Sequence, residues 1–338
     1  MKKKVVISLL LLVLVTSVYL YSSSLQTGIT GATTAETKTF VQSPGNIQVY
    51  FCPQEDCEQA LVQFLQSAQN TIHCAMYEFD LKAAQTVVLD KQQQGLEVQM
   101  VTDNDYLYEF NYSFVRTDRS GLMHDKFCII DGVRVYTGSM NPTENCAKKN
   151  NNNLLLIEST ALAQNYEEEF QEMWNGTFKK GDLVLNPQLR IGNISVENYF
   201  CPEDHCQERV KAELQKAKQE IYFMTFSFTA ESIGNELLLK HSEGLIVKGV
   251  METRMVTEDS QFARFVNNGI ETRKDSNPNT MHHKVFIIDN STVITGSFNP
   301  TGGGDTRNDE NILIIHDREI AFKFLKEFEK VWVEGKVE

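Results

Sequence analysis

The sequence predicts an α/β fold built as two related lobes within one chain of 338 residues. Three observations predict it. The tract MHDKFCIIDGVRVYTGSMNPT carries His124, Lys126, Asp131, Gly138, Ser139 and Asn141, and it recurs as MHHKVFIIDNSTVITGSFNPT with His282, Lys284, Asp289, Gly296, Ser297 and Asn299. Upstream, Tyr50-Phe51-Cys52-Pro53 with Cys57 recurs as Tyr199-Phe200-Cys201-Pro202 with Cys206, and Gly95-Leu96-x-Val98 recurs as Gly244-Leu245-x-Val247. In both halves apolar runs of strand length alternate with segments of helical spacing, which argues for helices covering a sheet.

The elements follow in order. Lys2, Lys3 and Lys4 precede an apolar stretch over residues 5–21 and a Ser/Thr-rich segment over 22–46. The apolar stretch exceeds the roughly 7–15 residues of a signal-peptide core and lacks a clean cleavage site, while sitting at the short end of the roughly 17–25 that span a bilayer. That favours an uncleaved signal-anchor at 1–21 over a cleaved secretory peptide. Basic residues ahead of it leave the remainder extracytoplasmic, membrane-anchored or secreted. The first lobe then covers 47–180 and the second 190–335. Helical spacing at 61–67 and 210–217 leads to apolar strands at 71–79 and 221–228. A polar helix and a strand follow, the strands at 98–102 and 247–251. The aromatic alternation Tyr106, Tyr108, Phe110, Tyr112, Phe114 reads either as a strand burying one face or as an aromatic rim. Between about 254 and 281 the second half carries extra residues. Phe170 and Trp174 match Phe328 and Trp332 on closing amphipathic helices.

The motifs carry the chemistry. Residues 127–130 and 285–288 read as buried strands, bounded by turns at Asp131-Gly132 and Asp289-Asn290. Residues two apart share a strand face, so His124 projects with Lys126, His282 with Lys284, Ser139 with Asn141 and Ser297 with Asn299. Each half thus offers an imidazole, a cation, a hydroxyl and an amide to one point, a set suited to a phosphate.

The paired His-x-Lys-x4-Asp motifs, each followed by Gly-Ser-x-Asn, resemble the hallmark of the phospholipase D superfamily, and the compact cardiolipin hydrolase and nuclease branches most. The resemblance implies two α/β/α lobes about a pseudo-two-fold axis with one active site at their interface, and both motifs lying in one chain point to a monomer. It implies a phosphohistidine intermediate, with His124 as nucleophile and His282 as general acid and then base. Lys126, Lys284, Asn141 and Asn299 would hold the non-bridging oxygens, with Ser139 and Ser297 near the phosphate. Asp131 and Asp289 would support the lobes from strand ends. A carboxylate often follows the Ser-x-Asn segment and orients an imidazole; Glu310 fits that position, whereas the aligned residue in the first half is Asn152. No metal site is apparent and no cofactor is expected, because His282-His283 lacks ligand spacing and the cysteine pairs lack partners.

Cysteines and charge set the context. Cys52 with Cys57, and Cys201 with Cys206, read as local disulfides. Cys74, Cys128 and Cys146 remain, and Cys128, inside an apolar strand, reads as a buried free thiol. The formal charge is −13, or about −16 without Lys2, Lys3 and Lys4. That argues against a broad phosphate-tracking surface, yet allows one locally positive groove. A phospholipid substrate is slightly favoured over nucleic acid, and the apolar N-terminus supplies proximity to a membrane. An exported metal-independent endonuclease is the alternative. A phosphatidyl transferase ranks third, and an inactive binding protein is disfavoured by the intact motifs.

Overall fold

Each lobe is organised around the five-residue strand that carries its motif. Lys126–Ile130 and Lys284–Ile288 are buried along their whole length, because each is an interior strand of its sheet with both faces covered. The structure, a computed structural model, describes residues 40–336; the expected anchor at 1–21 and most of the 22–46 linker lie outside the described residues.

In the first lobe the seven-stranded sheet runs Asn46–Cys52, Asn152–Glu158, Arg134–Gly138, Lys126–Ile130, Thr71–Met76, Glu97–Thr102, Val115–Thr117. The second sheet repeats that order with Ile194–Cys201, Asn308–His316, Thr292–Gly296, Lys284–Ile288, Glu220–Thr225, Ile246–Met251 and Glu271–Lys274. Period-two alternation sorts the motif strand between two cores. Phe127 and Ile129 face a shared central cluster, while Cys128 and Ile130 face an outer one. The outer cluster holds Leu61 and Val88, from helices Cys57–Gln66 and Lys82–Gln93. Helices Cys206–Gln215 and Glu231–Ser242 supply Leu214 and Leu237 to the matching cluster of the second lobe. The closing helices Thr160–Trp174 and Arg318–Glu334 bring Phe170 and Phe324 into the central cluster. Each is capped by an acceptor side chain, Ser159 on Leu162 N–H and Asp317 on Ile320 N–H.

The motif aspartates act at the far end of their strands. Asp131 (φ 55°) and Asp289 (φ 50°) are left-handed, and each is followed by a second left-handed residue, Gly132 or Asn290. Such pairs turn a hairpin tightly. The Asp131 carboxylate accepts N–H bonds from Gln69, Asn70 and Thr71, and that of Asp289 from Lys218, Gln219 and Glu220. Each pins the turn entering the neighbouring central strand.

Three expectations are corrected. Cys128 is bonded to Cys74, its register partner across the antiparallel pair Thr71–Met76 and Lys126–Ile130. Sequence spacing of 54 hid this contact, and the buried free thiol is Cys146. The Cys52–Cys57 and Cys201–Cys206 disulfides are present. The aromatic run 106–114 forms no strand; it holds a short 3₁₀ turn at Leu107–Glu109, with Phe110 buried and Tyr108 outside. Val41–Ser43, inside the expected linker, pairs in parallel with Gln188–Ile191 at the edge of the second sheet. Among the described residues no helix is long and apolar enough to cross a membrane.

Replacing Cys74 and Cys128 together by alanine is expected to cost about 4 kcal/mol, the chain-entropy value for a separation of 54 residues, against about 2 kcal/mol for removing the five-residue link Cys52–Cys57. Guanidinium unfolding of the oxidised proteins reads the two losses. Equal losses would rule out loop closure as the source of the stabilisation.

Candidate active site

Each motif histidine sits just before its strand, where the chain crosses to the other lobe. The His124 N–H donates to the Asp309 carbonyl at 3.0 Å, and the His282 N–H to the Asn151 carbonyl at 2.8 Å. The side chains make the same exchange. His124 Nδ1 lies 2.7 Å from Glu310 Oε2, and His282 Nδ1 lies 2.9 Å from Asn152 Oδ1. The Asn152 amide nitrogen donates to the carbonyls of Cys146 and Asn150, so its oxygen faces the imidazole and Nδ1 of His282 carries the proton. On the other side Asn308 holds the second Glu310 oxygen at 3.1 Å. Both imidazoles therefore turn Nε2 away from their braces. Only 7% of His124 and 8% of His282 is exposed, yet both line one cavity of about 890 Å³.

Aromatic rings flank this pair symmetrically. Tyr77 meets His124 edge-on at 4.9 Å, and Phe226 meets His282 at 5.0 Å. Lys126 Nζ lies 5.0 Å from the Tyr77 ring and donates to the His124 carbonyl; Lys284 Nζ lies 5.2 Å from Phe226 and donates to the His282 carbonyl at 2.9 Å. Burial pushes the Lys126 ammonium down to about 8, and pushes Lys284 well below its usual range with help from the Lys126 charge. Burial also holds both imidazoles well below their ordinary value, reinforced by the two lysines. Unbalanced positive charge in a dry site is costly, and an anion placed among these groups would offset it. Burial raises the Glu310 carboxyl to about 7, opposed first by Lys126.

Asn141 and Asn299 line the cavity. Asn141 gives one amide proton to Glu78 at 3.2 Å and keeps the other for a ligand. The serines are corrected. Ser139 and Ser297 are fully buried, and their hydroxyls accept the N–H groups of Asn153 and Asn311 rather than lining the cavity. Their place is behind the histidines: the Ser139 backbone bonds His282 and the Ser297 side chain bonds Glu310. Asp131 and Asp289 lie a full strand away, about 17 Å for five residues.

Other residues at the site escaped the sequence reading. Tyr77, Glu78 and Phe226 enter the cavity from the ends of the neighbouring strands. Glu78 faces Lys126 and Asn141, and burial raises its carboxyl. Beneath the cavity, Thr295 donates to Asn153 at 2.9 Å and Thr137 to Asn311 at 3.0 Å, joining the lobes. His283 is buried between Asn153 and Glu327. Among the described residues two groups could share a cation, Glu169 with Glu172 and Glu203, and Glu197 with Glu213 and His316; neither lines the cavity.

The comparisons agree with this arrangement. A family model described as "Cardiolipin synthase, PLD-like domain" matches residues 61–174 and again 210–332. The chain belongs to the phospholipase D superfamily. The mitochondrial cardiolipin hydrolase of Xenopus tropicalis is 33% identical over 138 residues, covering 40% of this chain and 66% of that protein. A phospholipase D of Rickettsia felis is 31% identical over 147 residues, 41% of this chain and 74% of its own length. The alignments with cardiolipin hydrolases span 50% to 66% of those proteins. The phosphatidylserine synthase of Haemophilus influenzae superposes with a TM-score of 0.66 over 86% of this chain and 87% of that one, at 12% identity, and so shares the fold.

Glu310 makes a testable contribution to stability. Its carboxyl, raised from 4.5 to about 7, binds its proton more tightly in the folded chain than in the unfolded one. The stability it contributes is full below about pH 4.5 and is lost as pH rises through about 7. Urea unfolding of the wild type should show this decline, on the order of 3 kcal/mol, and Glu310→Gln a flatter curve. Equal slopes in the two proteins would place the proton on another group.

Proposed function

We propose that the chain hydrolyses phosphodiester bonds in two steps through a phosphohistidine on His124. One observation carries the reading: two imidazoles, each braced at Nδ1 by the opposite lobe, present Nε2 to one cavity beside two buried lysines. In the first step the Nε2 lone pair of His124 attacks phosphorus and the bond to the leaving oxygen breaks. His282, as imidazolium, gives that oxygen its Nε2 proton. In the second step neutral His282 takes a proton from water, the oxygen attacks phosphorus, and the P–N electron pair returns to His124. Lys126, Lys284 and the free amide protons of Asn141 and Asn299 hold the non-bridging oxygens as charge builds on them.

The unequal braces support these roles. A bond from Nε2 to phosphorus leaves positive charge on the His124 ring, which the Glu310 carboxylate stabilises and an amide would not. His282 has the amide brace, so its imidazolium is held less firmly and releases a proton more readily. Burial, and after it the two lysines, disfavour charge on His282, and the substrate phosphate offsets the lysines.

Phospholipid is the preferred substrate class. The names of the relatives, cardiolipin hydrolase and phospholipase D, favour it. So does the apolar segment at 5–21, which would hold an extracytoplasmic enzyme at its substrate.

Single-turnover chemistry tests the roles. With phospholipid vesicles, His124→Ala should form no phosphoenzyme and retain no measurable turnover. His282→Ala with an activated leaving group should accumulate an acid-labile phosphoenzyme, visible by intact-protein mass, because the water step lacks its base. Glu310→Gln should lower kcat by on the order of 10²–10⁴. A phosphoenzyme on His282 in the His124 variant would reverse the assignment.

A further inference from the structure

A second cavity, of about 940 Å³, opens beside the catalytic one, and Arg307 lines both. Leu107 and three segments build it: residues 115–121, residues 173–180 at the end of the first closing helix, and Thr306-Arg307 of the second lobe. Arg116, Arg119, Lys179, Lys180 and Arg307 line this groove and no carboxylate does, in a chain of formal charge −13. Lys179 is balanced by Asp118 at 2.5 Å and Asp309 at 3.3 Å. Among the described residues Arg116, Arg119, Lys180 and Arg307 have no ion-pair partner.

The groove is tightly built. Gly121 has φ +79°, and a Cβ there would meet Lys179 Cε at 3.0 Å and the Arg307 carbonyl oxygen at 3.2 Å. Arg116 lies over Trp174, 3.7 Å from the ring centroid, and donates to the Trp174 carbonyl. Two consecutive residues of the aromatic loop reach the two cavities. Tyr106 lines the catalytic one and Leu107 the basic one, while Tyr108 is 76% exposed and Tyr112 43%. Unpaired cations lining an open groove next to the catalytic cavity suit the phosphates of a bilayer surface.

We propose that this groove is a second phosphate-binding site, which holds a phosphate of an anionic bilayer while the scissile phosphodiester occupies the catalytic cavity. That phosphate belongs either to the same lipid, where the lipid carries two, or to its neighbour. The inference rests on the phospholipid reading above. A nucleic acid strand would use the same cations but would also need open ring faces for its bases. Both rings that line the groove are covered: Trp174 has Arg116 over it and Phe170 stacked against it at 5.9 Å, and Phe178 has Lys179 over it.

The test compares the full-length wild type with Arg119→Glu/Lys180→Glu. The substrates are phosphatidylcholine vesicles, vesicles doped with cardiolipin or with phosphatidylglycerol to equal surface charge, a short-chain monomeric phosphatidylcholine, and single-stranded DNA. On anionic vesicles the apparent KM of the variant should rise on the order of tenfold or more, from about 1 kcal/mol per cation, with kcat held. Turnover of the monomeric lipid should not change. A rise confined to cardiolipin assigns the phosphate to the same lipid, and equal rises assign it to a neighbour. Unchanged kinetics on anionic vesicles would overturn the groove while leaving the phospholipid reading intact. A wild type idle on every lipid would overturn that reading itself, and an effect seen on DNA alone would replace both with a nucleic acid track. Arg119→Gln/Lys180→Gln, with an unchanged thermal midpoint, serves if charge reversal disturbs folding.

Discussion

The site depends on an exchange of hydrogen bonds between the lobes. His124 gives its backbone N–H to Asp309 and its Nδ1 contact to Glu310, while His282 makes the equivalent pair of contacts with Asn151 and Asn152. Each lobe therefore supplies an imidazole and the brace for the other's imidazole. Neither histidine is oriented unless both lobes have folded and docked. Two glycines make the approach possible. A Cβ on Gly138 would lie 2.5 Å from the Asn153 carbonyl oxygen, and one on Gly296 would lie 2.2 Å from that of Asn311. Both glycines also have φ near +130° to +143°, where side chains are strained. With them in place, Asn153 and Asn311 reach across the seam to Thr295 and Thr137. A buried polar seam of this kind is stable only when its groups are paired, which couples docking to the geometry of the site.

Much of this was legible in the residues. The motif strands announced themselves because interior strands are apolar throughout and end in turn residues, and duplication located every major element twice. The position of Glu310 and the substitution by Asn152 were also readable, since a shared offset from the Ser-x-Asn segment needs only counting. Which histidine each one braces was not. That contact joins residues 186 apart for His124 and 130 apart for His282, and offset within a repeat carries no information about exchange between repeats. The Cys74–Cys128 bond was hidden for a related reason, being set by strand register rather than by spacing. The period-two pattern of the aromatic run left strand and rim both open. Its rings pack on one another, Phe110 on Phe79 and Tyr112 on Phe114, and a loop satisfies those contacts as well as a strand would.

Near-symmetry of the fold conceals chemical asymmetry at the cavity. Tyr77 and Glu78 of the first lobe stand where the second has Phe226 and Ser227, and Cys146 stands where the second has Gly304. The polar additions, like Asn152 in place of a carboxylate, make the two halves of the cavity electrically different. The proposed two-step displacement uses such a difference, one imidazole entering uncharged and the other protonated.

The balance of charge at the cavity explains how an acidic chain can still hold phosphates. Net charge acts over the surface, where salt screens it within about 8–10 Å. Lys126 and Lys284 are almost wholly buried, so their field inside the cavity is screened little. Burial that lowers both lysines leaves each ammonium under-solvated, and a phosphodiester supplies what solvent does not. The binding energy is thus stored as unfavourable electrostatics of the folded site, and it is released most fully when charge on the phosphoryl oxygens is greatest, in the transition state. Acidity elsewhere keeps this effect local: polyanions gain little from the rest of the surface, so affinity is confined to places where cations lack partners.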